Sequence, residues 1–488
     1  MDDFDVVVVG GGINGTGLAR DLAGRGWRVL LAEAQDLAQH TSSSSTKLIH
    51  GGLRYLETYE FSLVAKALQE REVLLRSAPH IIRPLRFVLP HAPHLRPAWM
   101  IRIGLFLYDH LARRELLPGS QGLKLSGTVY GAALRPEFTR GFVYSDGWVD
   151  DARCVVLNAL DARRLGAEVL TRCTVTEARR GASDWHVTLE GGRQLRSRAL
   201  VNAAGPWAES FLRGQGLPAH GMRLVKGSHI IVPQRFAHDH AYIFQNPDGR
   251  IIFAIPYEGR FTLIGTTDVE LPDDGPPPDR AEISVNEVDY LCEQASRYLA
   301  HPVRPADVVW SYAGVRPLLD EGGSASSVTR DYLLEADAAG GAALLNVWGG
   351  KLTTYRKLAE DGASQLGALL GDARRPWTHD AKLPGGDLGS HGVDIDGFIA
   401  MLQARHADRP PALVARLARA YGSRAEALLA ADTGAEVAPG LFEVELHHLV
   451  EQEWACSAED VLWRRSKLGL HFTAAQHEAV AAWFRTQA

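Results

Sequence analysis

The stretch Phe4-Asp-Val-Val-Val-Val-Gly10-Gly-Gly-Ile-Asn-Gly15 decides the fold of this 488-residue chain. Its first half is a short apolar run rich in β-branched residues, which is typical of a strand buried on both faces of a parallel sheet. Its second half is a glycine turn, and apolar residues at helical spacing follow it. Residues 27–32 then predict a second strand that ends at Glu33. A strand, a glycine turn, a helix, a second strand and an acid in this order predict a βαβ unit that binds a dinucleotide.

The three glycines of the turn each have a physical role in such a site. Gly10 permits the tight turn, Gly12 lets the backbone approach a pyrophosphate, and Gly15 allows the helix to pack closely on the strand. The free N–H groups at the start of the helix then meet the phosphate charge, and Glu33 is placed to accept a hydrogen bond from a ribose hydroxyl. A glycine-rich turn without a ligand is the alternative, and the two strands and the acid make it the weaker one. The motif does not distinguish FAD from NAD.

Composition limits the class of protein. A chain of 488 residues predicts roughly three domains, at about one per 150 residues. Lys and Arg total 52 against 58 Asp and Glu, so a nucleic-acid-coating protein is excluded and any anion site must be a local cluster of cations. The four cysteines have no disulfide or zinc spacing, which predicts reduced thiols in a cytosolic chain without a metal site. We expect neither a signal peptide nor a spanning helix, because the sequence has no basic n-region and no run of about 18 apolar residues.

The chain divides into segments of different pattern. Strand-like runs recur at residues 168–178, 185–189 and 200–204 and throughout 220–270. Residues beyond 392 have a helical pattern. We therefore predict an α/β protein in which a Rossmann-like domain is interleaved with a mixed-sheet substrate domain, followed by an all-helical C-terminal domain. The predicted boundaries are 1–79, 145–210 and 331–382 for the dinucleotide-binding domain, 80–144 and 211–330 for the inserted substrate domain, 383–392 for a linker, and 393–488 for the C-terminal domain.

A second motif, Thr41-Ser-Ser-Ser-Ser-Thr-Lys-Leu-Ile-His-Gly-Gly52, follows the acid closely. Taken alone, a hydroxyl-rich segment is more often a flexible linker. Hydroxyl groups also bond phosphate oxygens, and paired glycines let a backbone pass against a flat cofactor. The position of this segment after Glu33 therefore makes it a candidate second contact for the cofactor.

Several cations and one histidine are candidates for a substrate site. Arg316 and Lys351 lie beside Gly and Pro residues, where a cation is a candidate anion ligand, although any single one is more often a solvated surface charge. His229 opens an apolar strand, and a lone histidine at such a place is more often structural than a base. Thr266 belongs to a segment that is more often a plain turn. The sequence alone does not show whether these residues converge.

Five blocks together resemble one known family. The chain is similar to the FAD-dependent glycerol-3-phosphate dehydrogenases, in particular the aerobic respiratory enzymes of bacteria, over nearly its whole length. The blocks are Val9-Gly-Gly-Gly-Ile-Asn-Gly-Thr-Gly-Leu-Ala-Arg-Asp-Leu-Ala-Gly-Arg-Gly26, Ser45-Thr-Lys-Leu-Ile-His-Gly-Gly-Leu-Arg-Tyr-Leu56, Tyr144-Ser-Asp-Gly-Trp-Val-Asp-Asp151, Gly265-Thr-Thr-Asp268 and Gly349-Gly-Lys-Leu-Thr-Thr-Tyr-Arg-Lys-Leu-Ala359.

The resemblance implies a noncovalent FAD and oxidation of sn-glycerol 3-phosphate to dihydroxyacetone phosphate, with a hydride passing from C2 to flavin N5. It implies His229 as the base, with Arg316 and Lys351 beside it in catalysis. The phosphate would be held by Arg54, Tyr55, Arg330 and Thr266. The residues expected to hold FAD are Gly10, Gly12, Ile13, Asn14, Gly15, Glu33, Thr41, Ser42, Ser43, Lys47, Leu48, His50, Gly51, Gly205, Gly350, Leu352 and Thr353.

The resemblance also implies an acceptor and a location. Members of this type pass electrons to membrane quinone, so we expect peripheral attachment to the cytoplasmic face of the inner membrane, and a homodimer is compatible with this. Residues 95–108 mix cations with Trp, Phe and Leu, as interfacial segments do, although an ordinary buried amphipathic segment has the same pattern. Three alternatives stay open: a glycerol-3-phosphate oxidase that uses oxygen, an FAD-dependent oxidase of the amino-acid oxidase type, and a non-catalytic flavin-binding regulator.

Overall fold

The computed structural model describes residues 2–57, 59–92, 96–272, 277–320, 331–392 and 394–487, and of Arg54, Ser390 and His391 it describes the backbone only. The opening stretch lies in an eight-stranded sheet. The strands of this first sheet are β1 (Asp2–Val9), β2 (Val29–Ala32), β7 (Glu168–Leu170), β8 (Val175–Arg180), β9 (Trp185–Leu189), β10 (Gln194–Asn202), β17 (Leu333–Asp337) and β18 (Ala343–Trp348).

The centre of the first sheet is parallel. β1 pairs in parallel with both β2 and β10, and β18 and β7 extend the parallel part on either side. Val6–Val9 are buried on both faces of β1, as a continuous apolar run in a central parallel strand requires. The carboxyl end of β1 therefore opens at the edge where parallel sheets carry their ligands.

A second sheet has ten strands and is mostly antiparallel. Its strands alternate in groups with those of the first sheet along the chain. Only β12 and β4 pair in parallel among its described pairs. Its strands are β3 (Leu48–Ile49), β4 (Ile82–His91), β5 (Gln121–Lys124), β6 (Arg140–Val149), β11 (Met222–Pro233), β12 (Ala241–Gln245), β13 (Ile251–Tyr257), β14 (Phe261–Gly265), β15 (Val269–Glu270) and β16 (Trp310–Leu319).

Thirteen α-helices are present in the described ranges. They are α1 (Ile13–Gly24), α2 (Phe61–Ser77), α3 (Ala98–His110), α4 (Val129–Ala132), α5 (Asp151–Arg164), α6 (Ala208–Gly214), α7 (Val285–Ser296), α8 (Tyr355–Leu369), α9 (Ile395–Arg405), α10 (Pro411–Tyr421), α11 (Ala425–Ala430), α12 (Glu443–Glu453) and α13 (Ala474–Gln487). None of these helices has both the length and the apolar character that crossing a bilayer requires.

Helices α1, α5 and α8 form one apolar core with a face of the first sheet. Leu18 and Leu358 are fully buried there, and burial of one such side chain contributes about 1.5–3 kcal/mol. Gly17 allows the close approach of α1 to α8, because a Cβ at this position would lie 2.9 Å from the ring of Tyr355. This packing fixes the start of α1 against the end of β1.

Three details differ from the expectations. β3 and the whole of β6 belong to the second sheet, so this sheet extends beyond the predicted segment 80–144, because a continuous strand pairs along its full length. The C-terminal domain is mainly helical but contains a hairpin of β19 (Glu436–Ala438) and β20 (Leu441–Phe442), whose short strands a helical pattern does not reveal. The segment 383–392 is packed rather than free, since Leu383 and Leu388 are buried.

Buried ion pairs attach the C-terminal domain to the cofactor domain. Arg465 holds Asp36 through two hydrogen bonds of 2.7 Å, and Arg464 adds a third of 2.6 Å. Arg153 of α5 pairs with Glu453 at the end of α12. Removing one partner of such a buried pair costs about 3–5 kcal/mol, so these contacts fix the orientation of the two parts.

His80 should make the protein sensitive to acid. Its side chain is buried, neither ring nitrogen has a hydrogen-bond partner in the described ranges, and burial with the charges of Arg153 and Arg424 lowers its pKa from 6.5 to about 3, against a raising effect of Asp387. The unfolded chain thus binds the proton more tightly, and stability falls as the pH drops below the unfolded pKa of 6.5. At about 1.4 kcal/mol per pH unit, we expect a loss of about 3 kcal/mol by about pH 4.5.

Urea titrations of wild type and His80→Leu at neutral and acidic pH test this expectation. The variant should lose about 3 kcal/mol less than wild type on acidification, because it has no imidazole to charge. The exposed His301 supplies the matched control, His301→Leu. Equal losses in wild type and His80→Leu would show that other groups govern the acid response.

Candidate functional site

The glycine turn between β1 and α1 has no room for side chains. Gly10 has a φ of 105°, a conformation that suits glycine. A Cβ on Gly15 would lie 1.9 Å from the Gly10 carbonyl oxygen, and one on Gly12 would lie 3.1 Å from Ser42 Oγ. The turn therefore brings bare backbone to the start of α1, where N–H groups and the helix dipole favour a phosphate.

Glu33 lies at the end of β2 beside this turn. Its carboxylate accepts hydrogen bonds from the Gly11 N–H at 2.5 Å and the Gln35 N–H at 2.8 Å. Burial raises the pKa of the carboxyl, while these two N–H groups act in the opposite direction. Each oxygen retains a lone pair, so the carboxylate can accept a further bond from a ribose hydroxyl.

The serine loop, residues 41–46, crosses in front of the turn. Ser42 Oγ accepts a hydrogen bond of 3.0 Å from the Ile13 N–H, and Thr41 donates to the Val315 carbonyl at 2.6 Å. The loop thus connects the start of α1 to β16 of the second sheet. The polar side chains of this loop are ordered by contacts on both sides, which distinguishes it from the flexible linker that its composition also suggests.

The side chain of Lys47 lies beneath the serine loop rather than in the cavity. Its ammonium is buried, bonds Asp151 Oδ1 at 2.8 Å and donates to the Ser43 carbonyl at 3.0 Å. Ser45 Oγ donates to the other Asp151 oxygen at 2.7 Å. Lys47 therefore holds the loop in place through Asp151. Its side chain is not placed for the predicted contact with the cofactor, so only its backbone could make that contact.

Residues 349–353 form the third side of the site. Gly349 accepts a hydrogen bond of 3.0 Å from Asn14 Nδ2, and Thr353 Oγ1 accepts one of 3.1 Å from the His50 N–H. Gly350 has a φ of 96°, again a conformation that suits glycine. Asn14 Oδ1 is buried and has no hydrogen-bond partner in the described part of the chain. This orphaned acceptor points to a donor that the protein itself does not provide.

A cavity of about 710 Å³ lies between these three segments and the second sheet. One wall is apolar and includes Phe87, Tyr144, Ile243 and Phe253. The predicted site residues that line the cavity are Ile13, Thr41, Ser42, Leu48, His50, Tyr55, His229, Thr266, Arg316, Gly350, Lys351, Leu352 and Thr353. Residues from six separate places in the sequence therefore face one space.

Arg316 lies on the wall formed by the second sheet, as does Arg250. Its guanidinium lies 2.7 Å from Asp268 Oδ1 and donates to the Thr267 carbonyl at 2.9 Å. About a third of the side chain is exposed, so the remaining donors are accessible from the cavity. A Cβ on Gly227 would lie 2.4 Å from Arg316 Nη2, so the glycine leaves the space that the guanidinium occupies.

Lys351 provides a further cation. Its ammonium lies 4.0 Å from the centre of the Tyr55 ring, which is the geometry of a cation–π contact. Both residues line the cavity. The side chain of Arg54 and the whole of Arg330 lie outside the described residues, so their predicted contacts with phosphate stay predictions.

His229 sits on the cavity wall in a neutral form. Its ring is stacked on Tyr312 with 4.8 Å between centroids, and Nε2 lies 2.9 Å from Thr46 Oγ1. Burial, together with the charges of Lys47 and Arg316, holds the pKa of the imidazole well below 6.5. A neutral imidazole near pH 7 can accept a proton, as a general base must.

The remaining predicted cofactor residues do not line the cavity. Gly10, Gly12, Gly15, Asn14 and Glu33 lie around the glycine turn, on the side where a dinucleotide would extend. Gly51 faces the core, where its N–H bonds Tyr108 Oη at 2.8 Å. The Ser43 carbonyl accepts a hydrogen bond from Lys47 Nζ, and Gly205 has a φ of 56°, a conformation that suits glycine.

Sequence reasoning missed three residues that hold the site together. Thr46 and Asp268 lie inside blocks quoted for the family likeness, so a signal for them existed without a role attached. Tyr312 carries no local signal, although its hydroxyl donates to the Ser45 carbonyl at 2.8 Å and its ring supports His229. The apolar wall was also missed, because its members are ordinary strand residues.

The residues present fit a flavin dinucleotide. The bare turn can receive a pyrophosphate, Glu33 a ribose, and the unpartnered Asn14 Oδ1 a donor. The cavity is large enough for a flat ring system beside a small substrate, since ligand cavities are about 300–1,000 Å³.

Comparison with known families agrees with this fit. Residues 5–356 match the model of the FAD dependent oxidoreductases, and residues 376–486 match that of the C-terminal domain of alpha-glycerophosphate oxidase. A solved structure of glycerol-3-phosphate dehydrogenase from Bacillus halodurans complexed with FAD is 27% identical, with a TM-score of 0.78 over 99% of this chain and 90% of that one. These matches confirm the predicted fold class and FAD as the cofactor.

Characterised bacterial relatives are similar over almost their entire length. A glycerol-3-phosphate dehydrogenase of Pseudomonas aeruginosa is 51% identical over 99% of this chain and 95% of its own. The aerobic glycerol-3-phosphate dehydrogenase of Escherichia coli is 49% identical over 99% and 97%. A D-erythritol 1-phosphate dehydrogenase of Brucella abortus is 49% identical over 98% and 97%. The chain therefore belongs to the FAD-dependent oxidoreductases, within the family of the bacterial aerobic glycerol-3-phosphate dehydrogenases.

Proposed function

We propose that this protein oxidises sn-glycerol 3-phosphate to dihydroxyacetone phosphate and passes the electrons to a membrane quinone. The observation that carries the proposal is the convergence of Arg316, Lys351, Thr266 and His229 on one cavity beside the cofactor segments. A cation pair, a hydroxyl and a neutral imidazole are the groups that a small phosphorylated alcohol requires. The chemistry that FAD supplies when bound is acceptance of the hydride from C2 at N5.

Arg316 and Lys351 would bind the substrate phosphate, which carries about −1.5 to −2 charge. Charge-assisted hydrogen bonds from a guanidinium are the stronger kind, and two cations can offset most of this charge. Tyr55 adds a hydroxyl next to Lys351, and Thr266 adds one next to Arg316. We propose Arg54 and Arg330 as further phosphate ligands on the strength of the family likeness.

His229 would take the proton of the C2 hydroxyl. Its Nδ1 is enclosed by the protein, whereas Nε2 bonds Thr46, whose side chain faces the cavity. The proton of the C2 hydroxyl would therefore pass through Thr46 Oγ1 to His229 Nε2. Arg316 would stabilise the negative charge that develops on the C2 oxygen, because a fixed cation in a preorganised site needs no rearrangement.

Helix α3 supports attachment to a membrane. Trp99, Ile103 and Phe106 recur at helical spacing on one face and are 64%, 52% and 54% exposed. The opposite face of α3 includes the buried Leu105 and packs against a core of the second sheet. It contacts residues 53–56, and Leu53 and Tyr55 of this segment line the cavity. An exposed apolar face next to the cavity suits a lipid surface that delivers a quinone.

The triple variant Trp99→Ser, Ile103→Ser, Phe106→Ser should bind phosphatidylglycerol–phosphatidylethanolamine vesicles about a hundredfold more weakly, since each lost side chain removes apolar contact. Co-sedimentation measures this. Leu369→Ser, Val450→Ser is the control, because these exposed apolar residues lie on α8 and α12, away from α3. Unchanged sedimentation of the triple variant would remove α3 from the membrane surface.

Anaerobic mixing with sn-glycerol 3-phosphate, followed by the flavin absorbance, tests the proposed function. Rapid bleaching is expected with this substrate and none with amino acids, which excludes the amino-acid oxidase and regulator alternatives. Because one relative is named for D-erythritol 1-phosphate, that compound is the second substrate to mix. Reoxidation by a soluble quinone faster than by air would separate the dehydrogenase from the oxidase. A flavin that no phosphorylated polyol bleaches would refute the proposal.

A further inference from the structure

We infer that Glu287, which lies on α7 outside the cavity, is a positioning residue that sets the orientation of Arg316 and the turn around Thr266. The inference rests on the proposed function, in which these two residues contact the substrate. Glu287 does not line the cavity, and its sequence signal is the Ser284-x-x-Glu287 pattern of a helix start, which indicates no role in a site. Its role follows from the hydrogen bonds that its two carboxylate oxygens accept.

One oxygen of Glu287 connects a strand of the second sheet to the turn that follows another strand. Oε1 accepts hydrogen bonds from Ser228 Oγ and Thr267 Oγ1, both at 2.8 Å. Ser228 belongs to β11, and Thr267 belongs to the turn after β14. Both side chains are buried, with 0% and 1% exposure, so no water can replace the carboxylate without rearrangement.

The two residues that Glu287 joins are neighbours of site residues. Ser228 precedes His229, and Thr267 follows Thr266. Ser228 and Thr267 also bond each other, since the Ser228 N–H donates to Thr267 Oγ1 at 3.0 Å and the Thr267 N–H donates to the Ser228 carbonyl at 3.3 Å. The carboxylate therefore closes a small ring of hydrogen bonds directly behind the cavity wall.

The ring is connected to the guanidinium of Arg316. The Thr267 carbonyl accepts a hydrogen bond of 2.9 Å from Arg316 Nη2 and one of 3.2 Å from Thr266 Oγ1. A shift of the Thr267 carbonyl would change the orientation of the Arg316 guanidinium and of the Thr266 hydroxyl, the two groups proposed to contact the substrate. Glu287 thus acts on the site through Thr267, although it makes no contact with the cavity.

The second oxygen explains why the residue is an acid. Oε2 accepts from the Ser284 N–H at 2.9 Å and Ser284 Oγ at 2.8 Å, which closes the capping box of α7, and it lies 2.8 Å from Lys226 Nζ. The Ser284 N–H and the Lys226 ammonium can only donate, so Oε2 must accept, and the charge of Lys226 favours a carboxylate. Burial raises the pKa of the carboxyl, but Lys226 and the donors of Ser284 and Ser228 outweigh it and lower the pKa to about 2, so the group is charged at neutral pH.

A glutamine amide can be accommodated only if its NH₂ group faces Ser228 Oγ and Thr267 Oγ1 and both hydroxyls reverse from donor to acceptor. The neutral amide also leaves the Lys226 ammonium without its counter-charge. We expect Glu287→Gln to raise KM for sn-glycerol 3-phosphate about tenfold, while kcat per bound flavin stays within about twofold. A purely structural role would instead lower the fraction of active, flavin-loaded protein at unchanged KM.

Steady-state kinetics of the holoenzyme with an artificial acceptor, flavin content and thermal melting form the experiment. Glu293→Gln is the matched control, because Glu293 lies on the same helix, is exposed and pairs with Arg297. Thr267→Val should raise KM as Glu287→Gln does, and Thr267→Ser, which keeps the hydroxyl, should restore it. This pair decides the question even if Glu287→Gln does not fold.

The outcomes are separable. A wild-type flavin that sn-glycerol 3-phosphate does not bleach would refute the proposed function. An active wild type in which Glu287→Gln and Thr267→Val leave KM unchanged would overturn the positioning role alone. A raised KM in Glu293→Gln as well would attribute the effect to α7 in general and would equally overturn it.

Discussion

Replacing Arg316 with alanine should lower kcat/KM for sn-glycerol 3-phosphate about a thousandfold, equivalent to about 4 kcal/mol of transition-state stabilisation. The variant loses a guanidinium that faces the cavity and leaves Asp268, its partner at 2.7 Å, without compensation. The uncompensated carboxylate would then repel a substrate phosphate of about −1.5 to −2 charge. The lost attraction and the added repulsion both lower kcat/KM for the phosphate substrate.

The kinetic constants of Arg316→Ala also separate two roles. A sharp rise in KM with little change in kcat would assign Arg316 to the phosphate, whereas an equal fall in kcat and kcat/KM would assign it to the charge that develops on the C2 oxygen. Arg316→Lys should be intermediate, because an ammonium retains the charge without the planar fork.

FAD content is the internal control for Arg316→Ala. The guanidinium pairs with Asp268 and bonds the Thr267 carbonyl, both in the turn after β14 and not at the glycine turn, so flavin content should stay at the wild-type level. Arg297→Ala, which removes an exposed helix pair, should leave all constants unchanged. A wild-type KM and kcat in Arg316→Ala would exclude this residue from the site.

Gly15→Ala should weaken FAD binding strongly. The added Cβ would lie 1.9 Å from the Gly10 carbonyl oxygen, well inside van der Waals contact, and no side-chain rotation relieves this contact, because the backbone fixes the position of both atoms. Relief requires the start of α1 to move from the end of β1, and the N–H groups that would meet the pyrophosphate move with it. We expect the dissociation constant for FAD to rise at least about a hundredfold, equivalent to about 3 kcal/mol.

Flavin absorbance of the purified variant and titration of apoprotein with FAD measure this effect. Gly214→Ala is the matched control, because a Cβ at that helical position would meet no heavy atom within 4 Å. The far-ultraviolet circular dichroism should be unchanged in both variants, since overpacking one position costs about 1–3 kcal/mol and leaves the fold intact. A yellow Gly15→Ala protein with wild-type affinity would show that the turn is not the pyrophosphate site.

Local motifs made the backbone of the candidate cofactor site predictable from the sequence. The glycine turn, Glu33 and the serine loop each depend on neighbours within a few residues, because a turn, a helix start and a strand end are local structures. The same reasoning placed β1, α1 and β2 close to their observed bounds. Homologous blocks then indicated FAD, which the glycine motif alone left open.

The sequence determined which chemical groups are present and where the backbone turns. Only the tertiary structure decided that Arg316 pairs with Asp268 at the cavity, that Lys47 is buried against Asp151, and that Glu287 accepts a hydrogen bond from a turn 20 residues away. These contacts join strands and helices far apart in the chain, and a side chain's direction depends on the packing of every element around it. Motif spacing is fixed by local geometry, whereas the convergence of charges is fixed by the fold of the whole chain.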